Sequence, residues 1–86
     1  MNKLEELRKQ IDEIDAQIAV LFEKRMHVAK EIGEYKKENN LPVLDTQREL
    51  EVISKNLENI KDESLKEHYK ELLEKLMSLS KDYQSK

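Results

Sequence analysis

The sequence predicts an all-α fold with one long N-terminal helix and two shorter helices. Two observations concern composition: the 86 residues include one glycine and one proline, and 41% of them are charged. Such a composition is typical of long helices rather than of sheets or disordered segments. The third observation is a repeat of apolar residues at alternating spacings of three and four, which indicates a packed helical face. The length suits one domain over residues 1–86.

An apolar seam predicts the first helix, over about residues 3–38. The seam consists of Leu4, Leu7, Ile11, Ile14, Ile18, Leu21, Arg25, Val28, Ile32 and Tyr35. The segment Asn39-Asn40-Leu41-Pro42 should end this helix, because proline disfavours helical geometry in the residue before it. Gly33 lies inside the predicted helix, where it costs about 1 kcal/mol relative to alanine. Either a close approach of a helix or ligand, or a neutral substitution, would account for it.

Capping residues predict where the two shorter helices begin. Asp45 is a suitable N-cap for a second helix over about residues 46–60, whose apolar residues are Leu50, Ile53, Leu57 and Ile60. Ser64 and Glu67 fit a capping box, in which each side chain accepts from a free backbone N–H of the other residue. A third helix is therefore expected over about residues 65–84. Its apolar stripe contains Leu65, Tyr69, Leu72, Leu73, Leu76, Met77, Leu79 and Tyr83.

The length of the first helix predicts a homodimer. A helix of about 36 residues is about 54 Å long, whereas a compact chain of this size has a radius of gyration near 12 Å. The first helix must therefore extend beyond its own domain. Because an apolar seam exposed to water would cost several kcal/mol, we expect a second copy of the chain to cover it.

Several classes of function are excluded or disfavoured by composition. The absence of cysteine excludes disulfides, thiolate metal sites and cysteine nucleophiles. His27 and His68 have no second ligand at metal-binding spacing, so we expect both to face solvent and expect no metal or cofactor. The mixed charges, with a net charge of −3, argue against nucleic acid as a partner. No apolar run is long enough to span a membrane, and we expect a cytoplasmic protein.

The three arginines occupy positions that suggest anion binding. The chain has thirteen lysines but only Arg8, Arg25 and Arg48, and arginine offers a planar fork that can grip a carboxylate. Arg25 occupies a seam position, which is costly unless a carboxylate or a ligand compensates; it could also fix the register of a helical dimer. Arg8 and Lys36 each follow a seam residue, so both can lean over the seam, although each alone could be a solvated flank.

Polar residues in the shorter helices add further candidates. Arg48 and Glu49 lie in the first turn after Asp45, where the helix dipole suits glutamate and disfavours arginine. Arg48 therefore needs an anionic partner. Ser80 and Gln84, four residues apart, interrupt the apolar stripe of the third helix with neutral hydrogen-bonding groups, although chance surface placement would also explain them.

Three motifs together resemble the all-helical class of chorismate mutases. They are Leu7-Arg8-x-x-Ile11-Asp12-x-Ile14-Asp15, then Arg25 with Val28-Ala29-x-x-Ile32-Gly33-x-x-Lys36, and Pro42-Val43-x-Asp45-x-x-Arg48-Glu49. The resemblance covers nearly the whole chain. It rests on the joint spacing of Arg8, Arg25, Lys36 and the turn from Asp45 to Glu49, since each element alone is common in helical proteins.

The resemblance implies an intertwined antiparallel homodimer that rearranges chorismate to prephenate in aromatic amino-acid biosynthesis, the shikimate pathway. By the same resemblance, Arg25 and the partner's Arg8 bind the two substrate carboxylates, and Lys36 reaches a carboxylate and the breaking ether oxygen. Further implied contacts are Arg48 as added positive charge, Asp45 and Glu49 at the ring hydroxyl, Ser80 at a carboxylate and Gln84 at the ether oxygen. Apolar walls would come from Ile32, Val52 and Met77.

Two other functions are compatible with the sequence. An isochorismate-pyruvate lyase uses a similar cationic pocket for a related pericyclic elimination. A helical dimerisation module without enzymatic activity would instead pair Arg8, Arg25 and Lys36 with acidic residues across the seam. Incubation with each substrate would distinguish the three possibilities.

Overall fold

A computed structural model of the chain describes residues 2–42 and 44–85, which form helices and no strand. The elements in chain order are α1 (Lys3–Glu38), α2 (Thr46–Leu57), a 3-10 helix (Glu63–Leu65) and α3 (Lys66–Gln84). The predicted all-α fold with one long and two shorter α-helices is confirmed. Val43, part of the third sequence motif, lies outside the described residues.

The bounds of α1 agree with the prediction, and its termini are capped. The Asn2 side chain accepts a hydrogen bond from the backbone N–H of Leu4 at 2.8 Å, which satisfies one of the free donors of the first turn. At the other end Asn40 has a φ of 56°, a left-handed conformation that asparagine tolerates better than most residues. The chain therefore turns away from α1 before Pro42.

The second helix is shorter than predicted, because α2 ends at Leu57 rather than near residue 60. The backbone N–H groups of Asn59 and Ile60 bond to carbonyls three residues earlier, so the chain leaves the α-helical pattern in a turn. Ile60 nevertheless stays partly buried. The apolar spacing thus correctly indicated that the Ile60 side chain is packed, but the helix predicted from it was too long.

The predicted capping box at the start of α3 is wrong. Asp62 caps this segment instead: its Oδ1 accepts from the backbone N–H of Ser64 at 3.0 Å and from the Ser64 hydroxyl at 2.7 Å. The bond from the Ser64 hydroxyl, and to a smaller extent the bond from the Ser64 backbone N–H, lower the pKa of Asp62. A 3-10 turn begins there, and α3 follows at Lys66 without a side-chain cap of its own. Asp62 replaces the predicted cap because an aspartate side chain can accept a hydrogen bond from the backbone N–H two residues later.

The core of the single chain is small and lies where α3 packs against α1 and α2. Ala29 and Leu73 are its buried apolar side chains among those described, and Gly33 and Ser80 are buried as well. By contrast, every residue from Asn2 to Lys24 is exposed. The radius of gyration of 16.3 Å exceeds the roughly 12 Å of a compact chain of this length, as the projecting first half of α1 requires.

Candidate active site

A cavity of about 450 Å³ lies between α1, the start of α2 and the end of α3. Its lining residues are Leu21, Lys24, Arg25, Val28, Ala29, Ile32, Lys36, Asp45, Arg48, Glu49, Val52, Met77, Ser80, Lys81 and Gln84. The volume falls in the range of small-molecule pockets. All three α-helices contribute, so the fold of the whole chain is needed to form it.

One face of α1 forms the longest wall of the cavity. Arg25, Ala29, Ile32 and Lys36 recur at spacings of four and three, which places their side chains on the same side of the helix. Ala29 is buried, while Arg25 and Lys36 are partly buried. Two cationic groups therefore stand at opposite ends of a mainly apolar wall, about 16 Å apart along the helix axis at the level of the backbone.

The N-terminus of α2 supplies the second wall. The Asp45 side chain accepts from the backbone N–H of Arg48 at 3.0 Å, which confirms Asp45 as the N-cap. This cap fixes the first turn, from which Arg48 and Glu49 reach the cavity. The Glu49 carboxylate forms an ion pair with Lys81 of α3 at 3.0 Å, so α2 and α3 are linked across the cavity wall.

The third wall belongs to α3, where the buried Ser80 connects to Arg25. The Arg25 guanidinium donates to the Ser80 hydroxyl at 2.5 Å, and that hydroxyl lies 2.8 Å from the Leu76 carbonyl, to which it donates. Since a hydroxyl has a single proton, Ser80 accepts from Arg25 in this arrangement. The bond restricts the guanidinium and holds it at the cavity. Gln84 lies one turn further along α3, at its last residue.

The charge of the cavity favours an anionic ligand. Five cationic and two acidic side chains line it, which leaves a formal excess of three positive charges. The chain as a whole has a net charge of −3, so the cations are concentrated at this cavity rather than spread evenly. Partly buried walls strengthen the attraction between these cations and an anion relative to bulk water.

Of the eight site residues predicted from the sequence, seven line this one cavity. They are Arg25, Lys36, Asp45, Arg48, Glu49, Ser80 and Gln84, and the three predicted apolar wall residues are there too. Arg8 is not among them. It lies in the exposed part of α1, seventeen residues before Arg25 and therefore about 25 Å away along the helix axis.

The sequence comparison identifies the family. Residues 7–85 match the family described as chorismate mutase type II. The chain belongs to this family. The resemblance inferred from the three sequence motifs is thereby confirmed.

Named relatives agree with the family assignment. A "Chorismate mutase" of Methanocaldococcus jannaschii is 32% identical over 88 residues, which are 96% of this chain and 89% of that protein. A "Bifunctional chorismate mutase/prephenate dehydratase" of Aquifex aeolicus is 39% identical over 94% of this chain. The chain spans only 25% of the length of that Aquifex protein.

A solved structure also resembles this member of the chorismate mutase type II family. It is described as a conserved hypothetical protein from Pyrococcus furiosus, with 40% sequence identity and a TM-score of 0.81. The match covers 98% of this chain and 97% of that one. The helical arrangement therefore agrees over nearly the whole length.

Two lysines of the cavity were not predicted from the sequence. Lys24 precedes Arg25 on α1, and Lys81 follows Ser80 on α3. Nothing in their spacing distinguished them from the other lysines, which mostly keep a helical surface solvated. The ion pair between Lys81 and Glu49 is the contact that gives Lys81 a place in the site, and it depends on how α2 and α3 meet.

The remaining structural findings concern metals and membranes. His27 and His68 are exposed, as predicted. Within residues 2–42 and 44–85, no group of three or more His, Asp or Glu is arranged to hold a metal ion. None of the helices in the described part of the chain is long and apolar enough to cross a membrane.

Proposed function

We propose that the chain is a chorismate mutase, an isomerase that converts chorismate to prephenate in the cytoplasm as part of aromatic amino-acid biosynthesis. The observation that carries the proposal is a cavity with an excess of three positive charges in a member of the chorismate mutase type II family. Chorismate is a small dianion, and that charge would attract it. The cavity also offers apolar surface from Ile32, Val52 and Met77 for the carbon skeleton.

The chemistry requires positioning and electrostatics rather than a nucleophile. In the rearrangement the ether C–O bond breaks while a C–C bond forms within the same molecule, and no proton is transferred. Holding the enolpyruvyl side chain over the ring in a reactive geometry removes conformational freedom on binding, so less entropy is lost in reaching the transition state. Arg25, fixed by its bond to Ser80, is suited to hold one carboxylate in a bidentate grip.

The residues expected to accelerate the reaction are those that can donate hydrogen bonds where negative charge develops. As the C–O bond breaks, negative charge grows on the ether oxygen. Lys36 and Gln84 would donate hydrogen bonds to that oxygen, and fixed donors stabilise the transition state more than the ground state. Glu49 and the backbone of Asp45 would accept from the ring hydroxyl, while Lys81 offsets the repulsion between Glu49 and the dianion.

A homodimer would complete the site. The seam residues Leu4, Leu7, Ile11, Ile14 and Ile18 are 45–56% exposed in the single chain, an unusually long apolar row for a water-facing helix. A second copy packed antiparallel along α1 would bury this row. It would also bring the partner's Arg8 to the cavity, where a second guanidinium could hold the other carboxylate of the substrate.

Spectroscopy with purified protein tests the proposed activity. We expect the absorbance of chorismate to fall in proportion to the amount of chain added, with prephenate as the product. Release of pyruvate from isochorismate, with chorismate unchanged, would identify a lyase instead. If neither substrate reacts, a dimerisation module without enzymatic activity is the remaining interpretation.

A pH experiment tests the proposed role of Gln84. Because an amide donates without first being protonated, wild-type activity should not require acidic pH. In the Gln84→Glu variant the carboxyl group must take up a proton before it can donate to the ether oxygen, so turnover should rise as the pH falls. We therefore expect the optimum of kcat/KM for chorismate to move to lower pH.

Gln47→Glu provides the matched control, since it makes the same chemical change at an exposed residue that does not line this cavity. Its pH profile should follow the wild type. If the Gln84→Glu profile also matched the wild type, residue 84 would not donate to the ether oxygen and would lie outside the site.

A further inference from the structure

Gly33 of α1 lies against Gln84 at the end of α3. A Cβ atom built on Gly33 would lie 2.9 Å from the Cβ of Gln84, 3.0 Å from its Cγ and 3.4 Å from its Cα. Its backbone does not have a positive φ, so conformational freedom does not explain the glycine. A glycine is needed at this position because there is no room for a side chain.

The contact cannot be relieved by a simple rotation of the Gln84 side chain. The nearest atom is the Cβ, which is fixed to the backbone of α3, whereas only the atoms beyond it move when the side chain rotates. Because protein interiors are closely packed, an overlap of this kind is relieved by shifts of the surrounding backbone. An alanine at position 33 must therefore push the last turn of α3 away from α1.

The last turn of α3 is where the proposed ether-oxygen donor lies. Gln84 is the final residue of the helix, and helix ends fray unless they are packed. The contacts that hold this turn against α1 include the approach to Gly33 and the Lys30 ammonium 5.1 Å from the ring centre of Tyr83. Gly33 also lies one turn before Lys36, on the same side of α1. The separation of Gln84 from Lys36 thus depends on Gly33.

We propose that Gly33 is a positioning residue, which sets the placement of the Gln84 amide beside Lys36 by allowing α3 to approach α1. The inference rests on the proposed chorismate mutase activity and on Gln84 as a donor. It assigns Gly33 no contact with the substrate. Its effect should therefore appear in the rate of the bound complex more than in substrate binding, which depends on the arginines.

Steady-state kinetics with chorismate test this role. We expect Gly33→Ala to lower kcat by about 10-fold or more while KM changes by less than about 3-fold, because an interaction of the transition state is lost. Glu31→Ala, an exposed change on the same helix outside the cavity, should retain wild-type kinetics. An unchanged kcat in folded Gly33→Ala overturns the inference. The activity of the wild type and its decrease to a lower, still measurable kcat in Gln84→Ala separately test the proposed function.

A double-mutant cycle shows whether Gly33 acts through Gln84. In the Gln84→Ala background the donor is already absent, so adding Gly33→Ala should cost less than about 2-fold further in kcat. If Gly33→Ala costs the same factor in both backgrounds, the glycine affects the site by another route and the inference is wrong.

Thermal unfolding gives a test that does not depend on activity. Combining Gly33→Ala with Gln84→Gly removes the Cβ and Cγ of residue 84, so the new methyl group loses the contacts at 2.9 and 3.0 Å and lies 3.4 Å from the Cα of residue 84. The double variant should have a higher Tm than Gly33→Ala alone, even if that single variant folds poorly. A Tm no higher than that of the single variant would show that this contact is not what Gly33→Ala disturbs.

Discussion

Replacing Arg25 with leucine is expected to lower kcat/KM for chorismate by at least about 100-fold while leaving the protein folded and its Tm unchanged or raised. The activity should fall because Arg25 is a partly buried guanidinium of the cavity that can hold a carboxylate. The stability should survive because leucine restores the apolar character of the seam at that position. Kinetics and thermal unfolding monitored by circular dichroism measure the two effects separately.

The hydrogen bonds around Ser80 explain why this substitution should not unfold the chain. Loss of the guanidinium removes a donor to the Ser80 hydroxyl, but that hydroxyl keeps its bond to the Leu76 carbonyl at 2.8 Å. No buried donor is left unsatisfied, so the large penalty for an orphaned polar group does not arise. A Tm well below the wild type would contradict this account.

Two further variants separate charge from geometry at Arg25. Arg25→Lys keeps the charge but loses the planar fork, so its activity should lie between those of the wild type and Arg25→Leu. Lys75→Leu removes a positive charge from an exposed residue of α3 outside the cavity and should retain activity. Wild-type kinetics in a folded Arg25→Leu variant would remove Arg25 from the site.

The helices were predictable where local chemistry and packing agree. The seam and the Asn39–Pro42 segment predicted the bounds of α1. Both signals are local to this helix: the apolar face runs along its whole length, and the proline disfavours its continuation. At the end of α2 the two signals diverge: Ile60 keeps the apolar spacing and stays partly buried, yet the backbone leaves the helix after Leu57. Apolar spacing reports burial of a side chain, and a turn residue can be buried as well.

The cavity was predictable mainly through the family resemblance. Physical reasoning marked Arg25 as unusual, because a cation at a seam position needs compensation, but it did not place Gln84 or Glu49 opposite it. Lys81 could not be found from the sequence, because its role depends on the 3.0 Å contact with Glu49 across two helices. For Gly33 the sequence left two explanations open, a close approach or a neutral substitution, and only the packing of α3 shows which atoms lie against it.

The proposed shared site predicts the second large effect, and the prediction follows from distance along α1. Arg25 and Lys36 line one cavity of one chain, eleven residues apart, so their extended side chains can converge on one small dianion. Arg8 lies about 25 Å before Arg25 on a continuous helix and cannot reach the same cavity. If Arg8 serves catalysis, it must serve the cavity of a second copy. This arrangement requires the two α1 helices to run antiparallel and to cross near residues 18–22.

Mixing two inactive variants should therefore restore activity. When Arg8→Ala and Lys36→Ala are unfolded together in equal amounts and refolded, random pairing makes about half of the dimers mixed. In a mixed dimer one site carries both substitutions and the other carries neither, so about a quarter of wild-type activity should return. Arg25→Ala mixed with Lys36→Ala is the matched control: both residues belong to the same cavity, so no mixed dimer contains an intact site and nothing should return. Activity of the Arg8 and Lys36 mixture that stays at the level of the separate variants would show that each site draws its residues from a single chain.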